Sequence, residues 1–270
     1  MNTTYLPWLT SFFYGAATLT LIKHVLDVES SKATNTKPVI FLSLLALGLH
    51  LSYHALLFYR IGGLDVHFFS ALSLVGLGMS AFCIGIGILK PLKSVGIIAF
   101  PIAGLSLLLD AYAGHPTLSS ATLSWQIGTH AILALLAYAT LCIASLVAIT
   151  LALQEHLLRH HHISRLLRVL PPLVLMENLL FQLILVGFAL LTFTLITGVL
   201  FVHNLLGQHL VHKTLLSIAS WLVFGSILWG RWRWGWRGKK ATRLCLTGMT
   251  LLLLAFVGSK FVLEVLLHRR

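Results

Sequence analysis

Charge is what this chain has least of. Only 10% of its 270 residues are charged, and seven of them are acidic against 19 lysines and arginines. A soluble domain carries roughly 25% charged residues, so there is too little polar side chain here to solvate a folded surface. Cysteine is also scarce: Cys83, Cys142 and Cys245 lie far apart inside apolar stretches with no C-x-x-C pair. That spacing argues against a thiol–disulfide carrier, and the three read as small buried hydrophobes. Strand-type alternation of period two is missing, which argues against an outer-membrane barrel. No serine–histidine–acid set, Walker loop or H-E-x-x-H motif occurs, so no catalytic residue and no enzymatic activity are expected. The acids are Asp27, Glu29, Asp65, Asp110, Glu155, Glu177 and Glu264. No two of them are expected to share a site, which leaves a carboxylate relay for protons or cations weakly supported.

What the chain has is apolar length. Hydrophobic residues make up 58% of it, in blocks of about 20, long enough to cross roughly 30 Å of hydrocarbon as helix. The fold class is all-α: a polytopic membrane helix bundle of about eight transmembrane helices, forming a single integral membrane domain over residues 1–270. The spans are read at Tyr5–Leu26, Val39–Tyr59, Phe68–Leu89, Val95–Ala113, Trp125–Leu153, Leu179–Val202, Thr214–Trp229 and Leu244–Leu267. Pro38, Gly62-Gly63, Pro91 and Pro116 mark the early boundaries. Ile163–Met176 (ISRLLRVLPPLVLM) mixes basic and apolar residues and is expected to lie along the interface.

The net charge of +12 sits in short loops between apolar blocks, the pattern of topology determinants and of contact with anionic lipid headgroups rather than of nucleic-acid binding. With the N-terminus outside, one side collects Lys23, Lys32, Lys37, Lys90, Lys93, Arg159, Arg165, Arg168, Arg231, Arg233, Arg237, Lys239, Lys240 and Arg243. The other keeps Arg60, Lys213, Lys260, Arg269 and Arg270, a bias of 14 to 5. The positive-inside rule then places both termini outside. Met1–Thr10 has no basic n-region, so the first span is expected to stay as an anchor.

Histidine is the informative residue, with 14 copies. His50 and His54 lie one turn apart on one face of the second span. A neutral imidazole in a membrane is either hydrogen-bonded to a neighbouring helix or a metal or haem ligand, and both readings stay open for this pair. His54, nearer the outer end, is the better ligand candidate. His130 lies about one turn inside the outer end of the fifth span, in Trp125–His130 (WQIGTH). The loop after the sixth span brings His203, His209 and His212 to the same surface. Haem held at that level needs two axial ligands from different segments. His160-His161-His162 reads as a solvated cluster, and His24, His67, His115 and His156 as snorkelling residues near span ends. The run Trp229–Arg237 (WGRWRWGWR) reads as an interface anchor at the headgroup level.

With these segments laid out, the last 150 residues resemble the cytochrome c assembly (CcsA/CcmC) superfamily in its HemX/YpjD-like branch, most strongly over 125–267. The fifth span carries His130–Ala139 (HAILALLAYA) and Leu151–Gln154 (LALQ). The sixth matches at Pro172, Met176-Glu177, Phe181, Gly187-Phe188, Leu191-Thr192 and Thr197-Gly198. After it come His209–Thr214 (HLVHKT), Ser220-Trp221, Gly235–Gly238 (GWRG), and Phe256 to Gly258. The resemblance implies a multi-pass protein of the bacterial inner membrane that handles b-type, non-covalent haem, in cytochrome c maturation or in regulating haem biosynthesis. Apocytochrome c and other cytochrome assembly factors are its implied partners. His130 matches the family's first external haem ligand, and His54 is similar to its first intramembrane ligand. Trp229 stands where a second intramembrane histidine belongs. The short His203–Lys213 loop replaces a tryptophan-rich platform, and His268 is the counterpart of the second external histidine.

The cofactor-binding candidates are therefore His130, His212, His209, His54 and His50, with no metal expected beyond haem iron. Two other functions compete: a transporter of a small solute or ion using His50 and His54, and a non-catalytic regulator docking a partner through the Arg231–Arg243 loop.

Overall fold

A computed structural model describes residues 5–26, 37–89, 93–113, 124–159, 171–201, 208–256 and 258. Eight helices run through them: α1 (Leu6–Leu26), α2 (Lys37–Ile61), α3 (Phe68–Leu89), α4 (Lys93–Ala113), α5 (Trp125–Arg159), α6 (Leu173–Phe201), α7 (Gln208–Trp234) and α8 (Gly238–Phe256). No strand occurs among the described residues. The protein is an all-helical, multi-pass membrane protein. Six helices, α2 to α7, are long and apolar enough to cross a membrane. α1 has the length, but Thr10, Thr18, Thr20, Tyr14 and Lys23 dilute it. α8 carries Lys239, Lys240 and Arg243 near its start, and the rest of the expected eighth span lies outside the described residues. Large apolar side chains such as Phe12, Phe41, Leu105, Leu185, Val199 and Leu254 point outward, as lipid requires and water would penalise.

The helices overrun their apolar runs. α5 continues six residues past the expected Leu153, and α7 extends through Trp234 instead of ending at Trp229. Leu173–Met176, expected along the interface, forms the first turn of α6 directly after Pro171-Pro172. Two prolines cannot extend a helix backward but start one well, since their missing N–H groups cost nothing in a first turn.

The contacts group into two compact units. The first comprises Met1–Asp65, Phe69–Thr122 and Gln154–Pro172. Here α1 packs against α2 and α4, and small residues set the approach. Ser11 Oγ donates to the Gly104 carbonyl at 3.0 Å. A Cβ on Gly76 would stand 2.5 Å from Ser106 Oγ and 3.0 Å from Ala103 Cα, so α3 reaches the α4 backbone only as glycine. This is the small-residue packing that replaces hydrophobic drive in lipid. The second unit comprises Val66–Phe68, Leu123–Leu153 and Leu173–Arg270. α6 packs on α7 and α7 on α8, while Gly187 admits Leu141 of α5 against α6. Gly62 (φ +76°) ends α2 and Gly235 (φ +64°) ends α7. Each donates its N–H to the carbonyl four residues back, Phe58 at 2.9 Å and Arg231 at 3.1 Å, the left-handed C-cap for which glycine carries no Cβ penalty.

Candidate haem-ligand site

In the second unit, His130 stands on the second turn of α5, facing the C-terminal turn of α6. Its Nδ1 lies 3.1 Å from Thr197 Oγ1. Thr197 also donates its hydroxyl to the Phe193 carbonyl at 2.8 Å, with the Thr194 carbonyl at 3.1 Å. Gly198 makes room for the ring: a Cβ there would stand 3.2 Å from His130 Cε1. One turn outward, Trp125 meets Phe201 edge-on at 5.9 Å. The charge of Lys213 reaches the imidazole from the start of α7. The Thr194 backbone also bonds the ring, and the side chain is half-buried.

The other candidates sit differently. His212 is exposed on the second turn of α7. His209 lies in the first turn of α7, its side chain outside the described residues, as is the whole of His203 and His268. His130 and the α7 turn bearing His212-Lys213 therefore share one end of the second unit.

In the first unit, His50 and His54 belong to one hydrogen-bonded chain. His50 is fully buried, with Nδ1 3.2 Å from Tyr14 Oη and Nε2 3.0 Å from Ser73 Oγ. His54 Nε2 meets the same Ser73 oxygen at 2.9 Å, and the two imidazoles stack at 5.4 Å. Tyr14 also meets Ser80 Oγ at 2.8 Å. Ser80 Oγ also lies 2.8 Å from the Leu77 carbonyl, to which it can donate. Both nitrogens of His50 are committed, the arrangement of a polar side chain bonded across helices.

A second polar group in this unit corrects the expectation that no two acids share a site. Ser70 Oγ lies 2.6 Å from Asp110 Oδ1 and 3.0 Å from Asp65 Oδ2. Asp110 is buried. Forty-five residues of sequence separate these acids, and only the packing of α3 on α4 brings them to one hydroxyl. The partners Tyr14, Ser73 and Ser80 were likewise missed. The available signal was the stripe Ser70, Ser73 and Ser80 on α3, at spacings that share one helix face.

The tryptophan-rich run forms the α7–α8 corner. Trp229, Trp232 and Trp234 point outward, while Trp236 lies against Gly230, where a Cβ would collide with the indole. Lys240 Nζ sits 3.4 Å above the Trp236 ring, and the Arg231 guanidinium 4.5 Å from the Phe181 ring. The buried Glu177 of α6 accepts the Gly238 N–H at 2.9 Å, a carboxylate placed on the first turn of α8. Among the described residues no group of three or more His, Cys, Asp or Glu is arranged to hold a metal ion. Haem iron asks less of the protein, since two axial nitrogens suffice.

Residues 38–267 match the family described as cytochrome C assembly protein. The chain belongs to the cytochrome c assembly family. Inner membrane protein YpjD of Escherichia coli K12 is 32% identical over 169 residues, which are 63% of this chain and 64% of that protein. A 28.8 kDa protein of Azospirillum brasilense is 38% identical over 143 residues, 52% of this chain and 53% of the relative. Cytochrome c biogenesis protein CcsA of Prochlorococcus marinus is 30% identical over 89 residues, 32% of this chain and 28% of the relative. The chain thus spans less than two thirds of the length of these relatives. No solved structure matches it. The match to YpjD, named for the inner membrane, and the six spanning helices place this family member in that membrane.

Proposed function

We propose that the protein is a non-catalytic haem-handling factor of the inner membrane that contributes to cytochrome c maturation, with His130 as an axial ligand to haem iron. A second ligand comes from the start of α7, where His212 and His209 lie on adjacent turns. One observation carries this reading. His130 has Nδ1 held by a hydroxyl of a neighbouring helix, in a half-buried position beside a cationic turn. A structural histidine such as His50 uses both nitrogens. A ligand histidine uses one to hold its orientation and offers the other.

Bound haem supplies an iron centre with two axial positions open to nitrogen lone pairs. This chain's residues do the rest: Thr197 holds the imidazole, Gly198 makes space for it, and Trp125 and Phe201 supply apolar surface beside it. Lys213 offers a cation suited to a carboxylate such as a haem propionate. The family match and the name of the CcsA relative support a role beside apocytochrome c and its other assembly factors. The orientation read from loop charge puts the His130 end outside, where c-type cytochromes are completed.

The test is a visible absorption spectrum of the detergent-purified protein, with and without added haem, for wild type and His130→Ala. A Soret band that His130→Ala removes supports the assignment. The same band in both proteins moves the ligand elsewhere, and no band in wild type with haem supplied ends the haem reading.

The Asp110–Ser70–Asp65 group, with Asp110 and Ser70 buried, favours a second reading, passage of a cation or solute through the first unit. Proteoliposome flux that is lost in Asp110→Asn and independent of haem would replace the first reading with this one.

A further inference from the structure

We propose that Thr197 is a positioning residue that fixes the tautomer of His130, so that Nδ1 carries the hydrogen and Nε2 the lone pair that iron would take. This deepens the haem reading and rests on it only for the identity of the ligand.

A threonine hydroxyl has one hydrogen and two lone pairs. Thr197 directs that hydrogen to the Phe193 carbonyl at 2.8 Å, with the Thr194 carbonyl at 3.1 Å as the other acceptor in reach. Both are carbonyl oxygens, so whichever receives it, the hydrogen stays on α6. With its hydrogen on a carbonyl, Thr197 offers His130 Nδ1, at 3.1 Å, a lone pair. Two lone pairs facing each other would repel, so Nδ1 must be the donor. A neutral imidazole carries one hydrogen, and with Nδ1 taken, Nε2 is left as the base.

Gly198 supports this geometry. Its missing side chain leaves the ring 3.2 Å, at Cε1, from where a Cβ would be, so an alanine there would press the imidazole away from Thr197. The first unit offers a contrast: both nitrogens of His50 meet hydroxyls, Tyr14 at Nδ1 and Ser73 at Nε2, whereas His130 meets a hydroxyl at Nδ1. Holding the distal nitrogen with an acceptor also raises the basicity of the ligating one, the role such outer partners play at metal–histidine sites.

The experiment uses the full-length, haem-free protein in detergent, labelled with nitrogen-15 at histidine. It is measured about two pH units above the ordinary imidazole value of ~6.5, so that neutral rings dominate. His130→Ala assigns the His130 signals. In wild type, Nδ1 should show a protonated-nitrogen shift and Nε2 an unprotonated one. Thr197→Val keeps the branched shape without the hydroxyl and should move the ring toward the Nε2–H form that free histidine prefers. Thr197→Ser should keep the wild-type pattern. Haem titration of the same proteins should show affinity falling about tenfold or more in Thr197→Val and held in Thr197→Ser. An Nε2–H signal in wild type, or a tautomer that Thr197→Val leaves unchanged, overturns the inference. Wild type with the expected tautomer but no haem binding instead overturns the haem reading, leaving the tautomer assignment standing on its own measurement.

Discussion

Tyr14 Oη stands between His50 Nδ1 and Ser80 Oγ, fully buried with both of its bonds made inside the first unit. Tyr14→Phe would keep the ring, and its stack on Phe100, but strand His50 Nδ1. A buried polar group left unpaired costs about 1–3 kcal/mol in soluble proteins. In membranes, hydrogen bonds average only about 0.6 kcal/mol, because the unfolded chain in lipid also finds partners. The lower figure should govern the bond and the higher one the orphaned nitrogen, for a net loss of about 1 kcal/mol. That lowers the melting temperature in detergent by about 2–4 °C. His50→Leu in the Tyr14→Phe background should then cost less than it does alone, since the orphan is gone. An unchanged melting temperature in Tyr14→Phe would show that the chain of bonds carries no stability. At this scale the sequence was half legible. Histidine in an apolar span announces a polar partner or a ligand role, so His50, His54 and His130 could be named from the chain alone. Which role each takes depends on Tyr14, Ser73 and Thr197, which lie 36, 23 and 67 residues from their histidines. No local pattern encodes such pairings.

The helices themselves were more legible, and their errors have one cause. α3 runs from Phe68 to Leu89 as expected, with Gly62 ending the preceding helix just before its apolar run. α5, α6 and α7 overrun because hydropathy marks where lipid ends, whereas the backbone stops where it meets a cap. At α7 that cap is Gly235, and the next helix is started by Glu177 from across the bundle. Its carboxylate on the Gly238 N–H places negative charge at the positive end of the α8 dipole. Glu177→Ala removes both the acceptor and the charge and should destabilise the protein by about 1–2 kcal/mol, the range of a lost N-cap. Glu177→Gln keeps an acceptor oxygen without the charge and should fall between wild type and alanine. Thermal unfolding gives the ranking, and limited proteolysis at Arg233 and Arg237 should speed up in the same order. Equal losses in glutamine and alanine would show that the charge, not the hydrogen bond, holds the corner.

For the whole molecule, the open quantity is which way the bundle faces, and the charge pattern makes a definite claim. The α7–α8 corner gathers Arg231, Arg233, Arg237, Lys239, Lys240 and Arg243, with Trp229, Trp232 and Trp234 turned outward beside them. Such a corner is held on the cytoplasmic side by the cost of moving cations across and by anionic headgroups, worth about 1 kcal/mol per cation near the surface. α7 begins near His130 and ends at this corner. A spanning α7 therefore sets the two on opposite sides of the membrane, and the orientation of the corner decides whether the candidate haem ligand faces outward. In a variant with Cys83, Cys142 and Cys245 replaced by alanine, a single cysteine at Ser124, one residue before α5, should react with an impermeant maleimide on intact spheroplasts. A single cysteine at Arg237 should react only after the membrane is opened. Both positions are exposed, so a difference between them reports sidedness rather than burial. The reverse pattern would put His130 on the cytoplasmic side, where haem is made. The proposed role beside apocytochrome c on the outer side would then fall.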